Sequence, residues 1–109
     1  MTVERLVELT GFKVVCIPCP DKEVVGVYSG DLLSWVMGKA EPGNAWITIM
    51  SNINVVAVAT LADISCVILT EGVVLDDDAL ATAISKDVNL LSTDLTSYEV
   101  AVRLSGILS

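Results

Sequence analysis

One local pattern recurs along this chain: an apolar segment, a serine, a short polar loop, and a second segment with helical spacing. The segments VGVYSGDLLSWVM, WITIMSNINVVAVA and NLLSTDLTSYEVAV carry it, with Ser29, Ser51 and Ser92 at the equivalent place. Short apolar runs bounded by turn residues are typical of buried strands. Strands that alternate with helices across short loops predict right-handed βαβ crossovers and a largely parallel sheet.

We therefore expect an α/β fold in three layers, with a mostly parallel sheet of about five strands flanked by helices. The continuous apolar strands agree with this fold, because they suit a sheet that is covered on both faces. No linker or low-complexity segment divides the 109 residues, so we expect a single domain over residues 1–109. The predicted strands span residues 12–17, 24–28, 45–50, 66–69 and 88–91, and the predicted helices span residues 3–10, 31–37, 54–63, 77–85 and 97–108.

Short polar side chains stand where several predicted helices begin. Asp31, Asn54 and Thr96 occupy such positions, and their side chains are good N-caps. Thr96 and Glu99 also have the spacing of a capping box. We interpret these residues first of all as helix caps.

The C-terminal ends of parallel strands meet along one edge of a sheet, where helix N-termini present free N–H groups to ligands. The polar residues that follow the predicted strands therefore either cap helices only or also form a site for a small molecule or anion. Because Asp31, Glu71 and Asp94 would repel a bare phosphate, such a site needs a metal ion or a ligand with further polar groups. The candidate ligand-binding residues are Ser29, Gly30, Asp31, Ser51, Asn52, Asn54, Thr70, Glu71, Gly72, Ser92 and Asp94.

The same segments resemble a DRTGG domain. The resemblance covers about residues 24–104 and rests on VVGVYSGDLLSWV, GNAWITIMSNINVVAVATLADISCVILTEG and VNLLSTDLTSYEVAVRL. Residues 51–53 stand where the family has a Gly-Asp-Arg type of loop, and residues 70–72 stand where it has Thr-Gly-Gly. The arginine of the family name is absent here, and Glu71 replaces the first glycine, so a phosphate-binding role of that arginine does not carry over.

Similar domains occur in phosphotransacetylases, in regulatory parts of some inorganic pyrophosphatases and, in a related form, at the N-terminus of HPr kinase/phosphorylases. The resemblance implies a regulatory or dimerising protein-interaction module with no catalysis of its own. An alternative function is a small-molecule sensor, which would bind a nucleotide or a phosphorylated metabolite at the C-terminal edge of the sheet.

Several classes of catalyst are excluded by composition. The chain has no histidine, which excludes Ser-His-Asp and Cys-His catalysis and histidine-ligated metals. It also lacks a P-loop and a Gly-x-Gly-x-x-Gly sequence, so neither triphosphate nor dinucleotide binding of those kinds is predicted. We expect a protein that is not an enzyme and that needs no cofactor.

Cys16 and Cys19 form a C-x-x-C motif, which leaves a metal or redox module as a second alternative. Pro20 biases Cys19 away from the helical conformation that a redox motif needs. A zinc site needs four ligands, and Cys66 is the one further thiol, although a dimer could pool two motifs. The other interpretation is apolar packing, which we also expect for Cys66, Trp35 and Trp46.

The charge and the N-terminal segment limit the possible classes of partner and the expected cellular location. The net charge is −8 and the six Lys and Arg residues are scattered, which argues against binding to nucleic acid or to anionic membranes. The N-terminal MTVERLVELTG reads as an acidic amphipathic helix rather than a signal peptide. We therefore expect a cytoplasmic protein with reduced thiols.

The apolar content predicts a partner chain. Hydrophobic residues make up 53% of the sequence, and so short a chain cannot easily bury that much apolar surface alone. The predicted helix over residues 54–63, NVVAVATLAD, is apolar nearly all round and must be covered on more than one side. We expect a symmetric homodimer, with a protein partner or a small-molecule effector as further possibilities.

Overall fold

The computed structural model describes residues 1–108, which form one five-stranded sheet and five helices. The elements in chain order are α1 (Val3–Thr10), β1 (Lys13–Cys16), β2 (Gly26–Ser29), α2 (Leu33–Lys39), β3 (Asn44–Thr48), α3 (Ile53–Leu61), β4 (Cys66–Leu69), α4 (Asp77–Ser85), β5 (Leu90–Ser92) and α5 (Ser97–Leu108). Among these helices, none is long and apolar enough to cross a membrane.

The strands lie in the order β1-β5-β4-β3-β2, and the four strands from β2 to β5 are parallel. The prediction of a mostly parallel α/β sheet of about five strands is confirmed. β1 pairs with β5 in the antiparallel sense, with Lys13 opposite Ser92. Because no crossover helix separates β1 from β2, β1 ends and β2 begins at the same edge of the sheet, and this sets the direction of β1.

Two apolar cores cover the two faces of the sheet. One core contains Trp46 of β3 and packs under α2, α3 and α4, while the other contains Ile47 and packs under α1 and α5. Neighbouring residues of one strand enter different cores because side chains of a strand alternate between the two faces. All residues of β3 and β4 are buried, as a central strand in a three-layer fold requires.

The two tryptophans have different environments. Trp46 is fully buried, as predicted, and its indole N–H donates to the Gly30 carbonyl over 2.8 Å. The prediction that Trp35 lies in the core is wrong, since this side chain is 58% exposed. α2 is only seven residues long and turns Val36 toward the sheet, which leaves Trp35 on its outer side under the Lys39 ammonium. Cys66 is fully buried, as expected.

Helix capping follows the prediction at one helix and departs from it at two others. Thr96 and Glu99 form the expected capping box, with hydrogen bonds of 3.1 and 3.2 Å. α2 begins at Leu33 rather than at Asp31, and the Asp31 side chain does not cap it. α3 is capped by Asn52, which accepts a hydrogen bond from the Asn54 N–H, so the assignment of Asn54 as the cap is also wrong.

The buried side chain of Asn89 links three segments of the chain by hydrogen bonds. The Asn89 amide nitrogen donates to the carbonyls of Cys19 and Ser65 over 2.8 and 2.9 Å. The side-chain amide oxygen of Asn89, Oδ1, accepts a hydrogen bond of 2.9 Å from the Cys19 N–H. Because Asn89 is 1% exposed and Ser65 is fully buried, the Ser65 carbonyl has no access to solvent as a substitute partner. The loop that follows β1 is therefore held against the start of β4 and β5.

We expect Asn89→Ala to lower the free energy of unfolding by about 2–4 kcal/mol, because it leaves the buried Ser65 carbonyl and two part-buried Cys19 groups without this hydrogen-bond partner. Urea denaturation followed by circular dichroism measures this change. Asn54→Ala is the matched control, because the Asn54 side chain is exposed and its effect should stay within about 0.5 kcal/mol. Equal losses from both substitutions would contradict this role of Asn89.

Candidate functional site

The loops after β2, β3, β4 and β5 all open at one edge of the sheet, which we call the C-terminal edge. The structure brings the predicted row of polar residues to this edge, with adjacent loops in contact. The Asp76 N–H donates to the Ser51 carbonyl, which joins the loops that precede α4 and α3. The loops that carry the row are therefore joined at this edge, although Thr70 itself is fully buried, and the role of the row as a ligand site remains a prediction.

The Asp31 side chain holds the loop after β2 against β3 by hydrogen bonds. One Asp31 carboxylate oxygen accepts hydrogen bonds from the Thr48 hydroxyl over 2.8 Å and from the Ile49 N–H over 2.9 Å. The Thr48 side chain is buried, so this contact joins the exposed carboxylate to the interior of the sheet. The structural use of this carboxylate explains why Asp31 does not cap α2.

The loops after β4 and β5 are joined by their backbones. The Glu71 N–H donates to the Leu95 carbonyl over 2.8 Å, and the Gly72 N–H donates to the Thr93 carbonyl over 3.0 Å. Glu71 and Gly72 both have positive φ, at 57° and 69°. A Cβ at Gly72 would lie 2.9 Å from the Asp94 carboxylate, so glycine is required there by both conformation and space. The N–H groups of Glu71 and Gly72 therefore already donate to carbonyls of the neighbouring loop.

The electrostatics of the C-terminal edge also disfavour a free phosphate. Asp31, Glu71 and Asp94 are all exposed there, as is the acidic start of α4. Lys13 reaches this edge because β1 is antiparallel and pairs with the end of β5. Among residues 1–108, no three His, Cys, Asp or Glu residues come together in a way that could hold a metal ion. Lys13 is thus one cation beside several acidic side chains, and the net charge of this edge disfavours a phosphate.

Three cavities of the described chain lie away from the predicted row. The largest, about 440 Å³, opens at the opposite edge of the sheet and contains the ion pair between Lys22 and Asp63, whose atoms are 2.8 Å apart. A second, of about 350 Å³, lies against α5. The third, of about 320 Å³, is an almost entirely apolar groove between α3 and α4. None of them is lined by the candidate ligand-binding residues.

The C-x-x-C motif lies at the edge opposite the predicted row. The Cys16 thiol is half-buried, it donates to the Val88 carbonyl over 3.4 Å, and burial raises its pKa. Cys19 lines the cavity of about 440 Å³. A thiol whose pKa is raised is a poor metal ligand and a poor nucleophile at neutral pH, since both roles need the thiolate. Within the described part of the chain, the motif lacks the further ligands that the metal alternative requires.

Sequence reasoning singled out the helix over residues 54–63 but not Ile53 and Leu61, which lie on the outer side of α3. Ile53 is 41% exposed, Leu61 is 73% exposed, and Ala57 lies between them on the exposed side. We call these three residues the α3 face. α3 contains no charged residue, and the apolar groove runs along one side of this face. The sequence shows that this helix is apolar nearly all round, which indicates an uncovered apolar side. Which of its positions are exposed depends on how the helix packs.

The fold is shared with a solved structure of a regulatory protein region. This is the crystal structure of the CBS and DRTGG domains of the regulatory region of Clostridium perfringens pyrophosphatase, complexed with its activator, diadenosine tetraphosphate. The TM-score is 0.74 and the sequence identity is 13%, over 94% of this chain and 45% of that chain. At this identity the likeness establishes the fold alone, and this chain spans less than half of the protein compared.

Family membership follows from the sequence match. The model of the DRTGG domain family matches residues 24–107, which is most of the chain. The chain belongs to the DRTGG domain family, as its resemblance to that family indicated. The comparison with curated proteins found no match.

The three thiols should differ in their rates of alkylation. Burial raises the pKa of Cys16 and raises that of Cys66 to about 12, so both thiols stay protonated at pH 8. We expect iodoacetamide at pH 8 to label Cys19 first, Cys16 more slowly, and Cys66 only after unfolding, as read by peptide mass spectrometry. Labelling in urea is the control, where the three rates should converge. Fast labelling of Cys66 in the folded chain would contradict its burial.

Proposed function

We propose that this chain is a non-catalytic regulatory module of the DRTGG type, which acts by contact between protein chains and forms a homodimer through the α3 face. Membership of the DRTGG family supports the regulatory class, because the structural relative belongs to a regulatory region. The absence of histidine and of nucleotide-binding motifs from the sequence supports a role without catalysis.

The α3 face is the observation that carries the homodimer. A chain with a net charge of −8 repels its own copies over most of its surface, so association is favoured where acidic side chains are missing. The α3 face is such a surface, because all three of its side chains are uncharged and apolar. Burying one large aliphatic side chain contributes roughly 1.5–3 kcal/mol, and a two-fold interface contains each residue twice.

The location and the remaining partners form part of the same proposal. Free cysteines at positions 16, 19 and 66 suit the reducing cytoplasm. The six cationic residues do not form a basic patch in the sequence, so nucleic acid and anionic membranes are not proposed as partners. A further protein partner is compatible with the same apolar surface.

A second candidate function is the binding of a small-molecule effector at the C-terminal edge. The observation that favours it is the activator, diadenosine tetraphosphate, in the complex of the structural relative. Two observations weigh against this second function. The backbone N–H groups of Glu71 and Gly72 already donate to carbonyls, and the surrounding side chains are acidic. Two-dimensional amide NMR spectra with and without diadenosine tetraphosphate separate the two functions. Shifts confined to residues 29–31, 51–54 and 70–72 would establish an effector site, and unchanged spectra would exclude this effector.

Leu61→Glu should convert the homodimer into a monomer. The substitution places a charge at the most exposed position of the α3 face, and we expect it to weaken self-association by roughly 100-fold. Sedimentation equilibrium over a range of micromolar concentrations measures the dissociation constant.

Val102→Glu is the matched control for this prediction. Val102 is 54% exposed on α5, which covers the other face of the sheet, and its substitution should leave the dimer unchanged. Circular dichroism should show that both variants remain folded, since each changes an exposed side chain. A monomeric unmodified chain, or equal effects of the two substitutions, would contradict the proposal.

A further inference from the structure

The dimer proposed above leaves the orientation of the two copies open, and the structure points to one arrangement. Resting on that proposed function, we infer that two copies pack α3 against α3 and α4 against α4, with each pair antiparallel. The two-fold axis then passes beside Ala57. Three observations carry this inference: the spacing of the α3 face, the shape of the neighbouring groove, and the charges at the two ends of α4.

The α3 face is symmetric about its middle. Ile53, Ala57 and Leu61 are four residues apart, so they lie one above the other along one side of the helix. An antiparallel pairing centred on Ala57 places each Ile53 opposite the Leu61 of the second copy. The small side chain at the centre lets the two helix backbones approach closely, while the large side chains at both ends fill the space beside them.

The apolar groove supplies the complementary shape. It has a volume of about 320 Å³, runs beside the α3 face, and is closed on its far side by Thr82 and Lys86 of α4. The exposed Leu61 side chain projects from the same surface. In a two-fold interface the same surface of each copy provides both the projecting side chain and the groove, so one contact is made twice.

The charges of α4 select the antiparallel orientation. α4 begins with exposed acidic residues, among them Asp78, and ends at the exposed Lys86. α3 and α4 run in the same direction, because each returns from one parallel strand to the next. An antiparallel pairing therefore brings Lys86 near Asp78 of the second copy, twice. A parallel pairing would instead bring the acidic ends of both copies together and align the helix dipoles.

The dimensions of the chain allow an interface of standard size on one of its faces. Standard interfaces bury roughly 800 Å² per partner. The principal extents of the chain are 32 × 25 × 24 Å, so one whole face has an area of this order. The outer side of the α3–α4 layer is such a face, and the exposed Ile84 of α4 extends its apolar part.

Cross-linking through a new cysteine tests the position of the axis. Under mild oxidation Ala57→Cys should give a disulfide-linked dimer within minutes, because residue 57 lies opposite its own copy. Two samples serve as controls: the unmodified chain, with its three native thiols, and Ser105→Cys, which places an exposed cysteine on α5. Cross-linking of Ala57→Cys that does not exceed both controls would overturn the inferred arrangement.

Charge reversal tests the orientation. Lys86→Asp and Asp78→Lys should each weaken the dimer by roughly 2-fold to 10-fold, because each places like charges together at both ends of the interface. The double variant, with both reversals in one chain, restores the two opposite-charge pairs and should recover the original dissociation constant. Additive weakening in the double variant would show that the two residues do not meet and would overturn the antiparallel pairing.

The proposed function and this inference fail in different measurements. A monomeric unmodified chain in sedimentation overturns the homodimer itself. A dimeric chain in which Ala57→Cys does not cross-link overturns only the inferred arrangement, and leaves the exposed edge of β2 as the next surface to test. That edge carries Val25 and Val27, whose side chains are 71% and 38% exposed.

Discussion

The burial of β3 and β4 on both faces is the constraint on which the rest of the structure depends. Each apolar residue of these strands contributes to one of two apolar cores, so helices must cover the sheet on both sides. Covering helices require crossover connections, and the crossovers bring four loops to one edge. The C-terminal edge is thus a consequence of strand burial, and its polar residues are needed whether or not a ligand binds there.

The polar row at this edge shows how a structural requirement can resemble a binding site. Sites for anions in α/β proteins depend on N–H groups that are free at helix N-termini. Here the Asp31 carboxylate is held by β3, and the N–H groups of Glu71 and Gly72 bind the loop after β5. These contacts hold neighbouring loops together, so the polar residues of the C-terminal edge have a structural role. The acidic charge of the edge disfavours a bound phosphate, which also supports a structural role for its polar residues.

α3 connects the fold with the proposed function. It lies between α2 and α4 in its layer, and its inner side fills the core with Val55, Val56, Val58 and Ala59. A helix in a monomeric protein of this size normally carries polar residues on its outer side. α3 carries Ile53, Ala57 and Leu61 there beside the polar Asn54 and Thr60, which leaves apolar surface exposed in a strongly acidic chain.

The sequence by itself determined the number, type and order of the elements and the capping box at Thr96, because the signals for these are local. The tertiary structure alone decided the rest. Asp31 had two suitable partners, the start of α2 and the buried Thr48, and only packing could choose between them. Likewise, the exposure of Trp35 and the pairing of β1 with β5 depend on which elements lie at the ends of the sheet, and these are long-range contacts that no short stretch of sequence encodes.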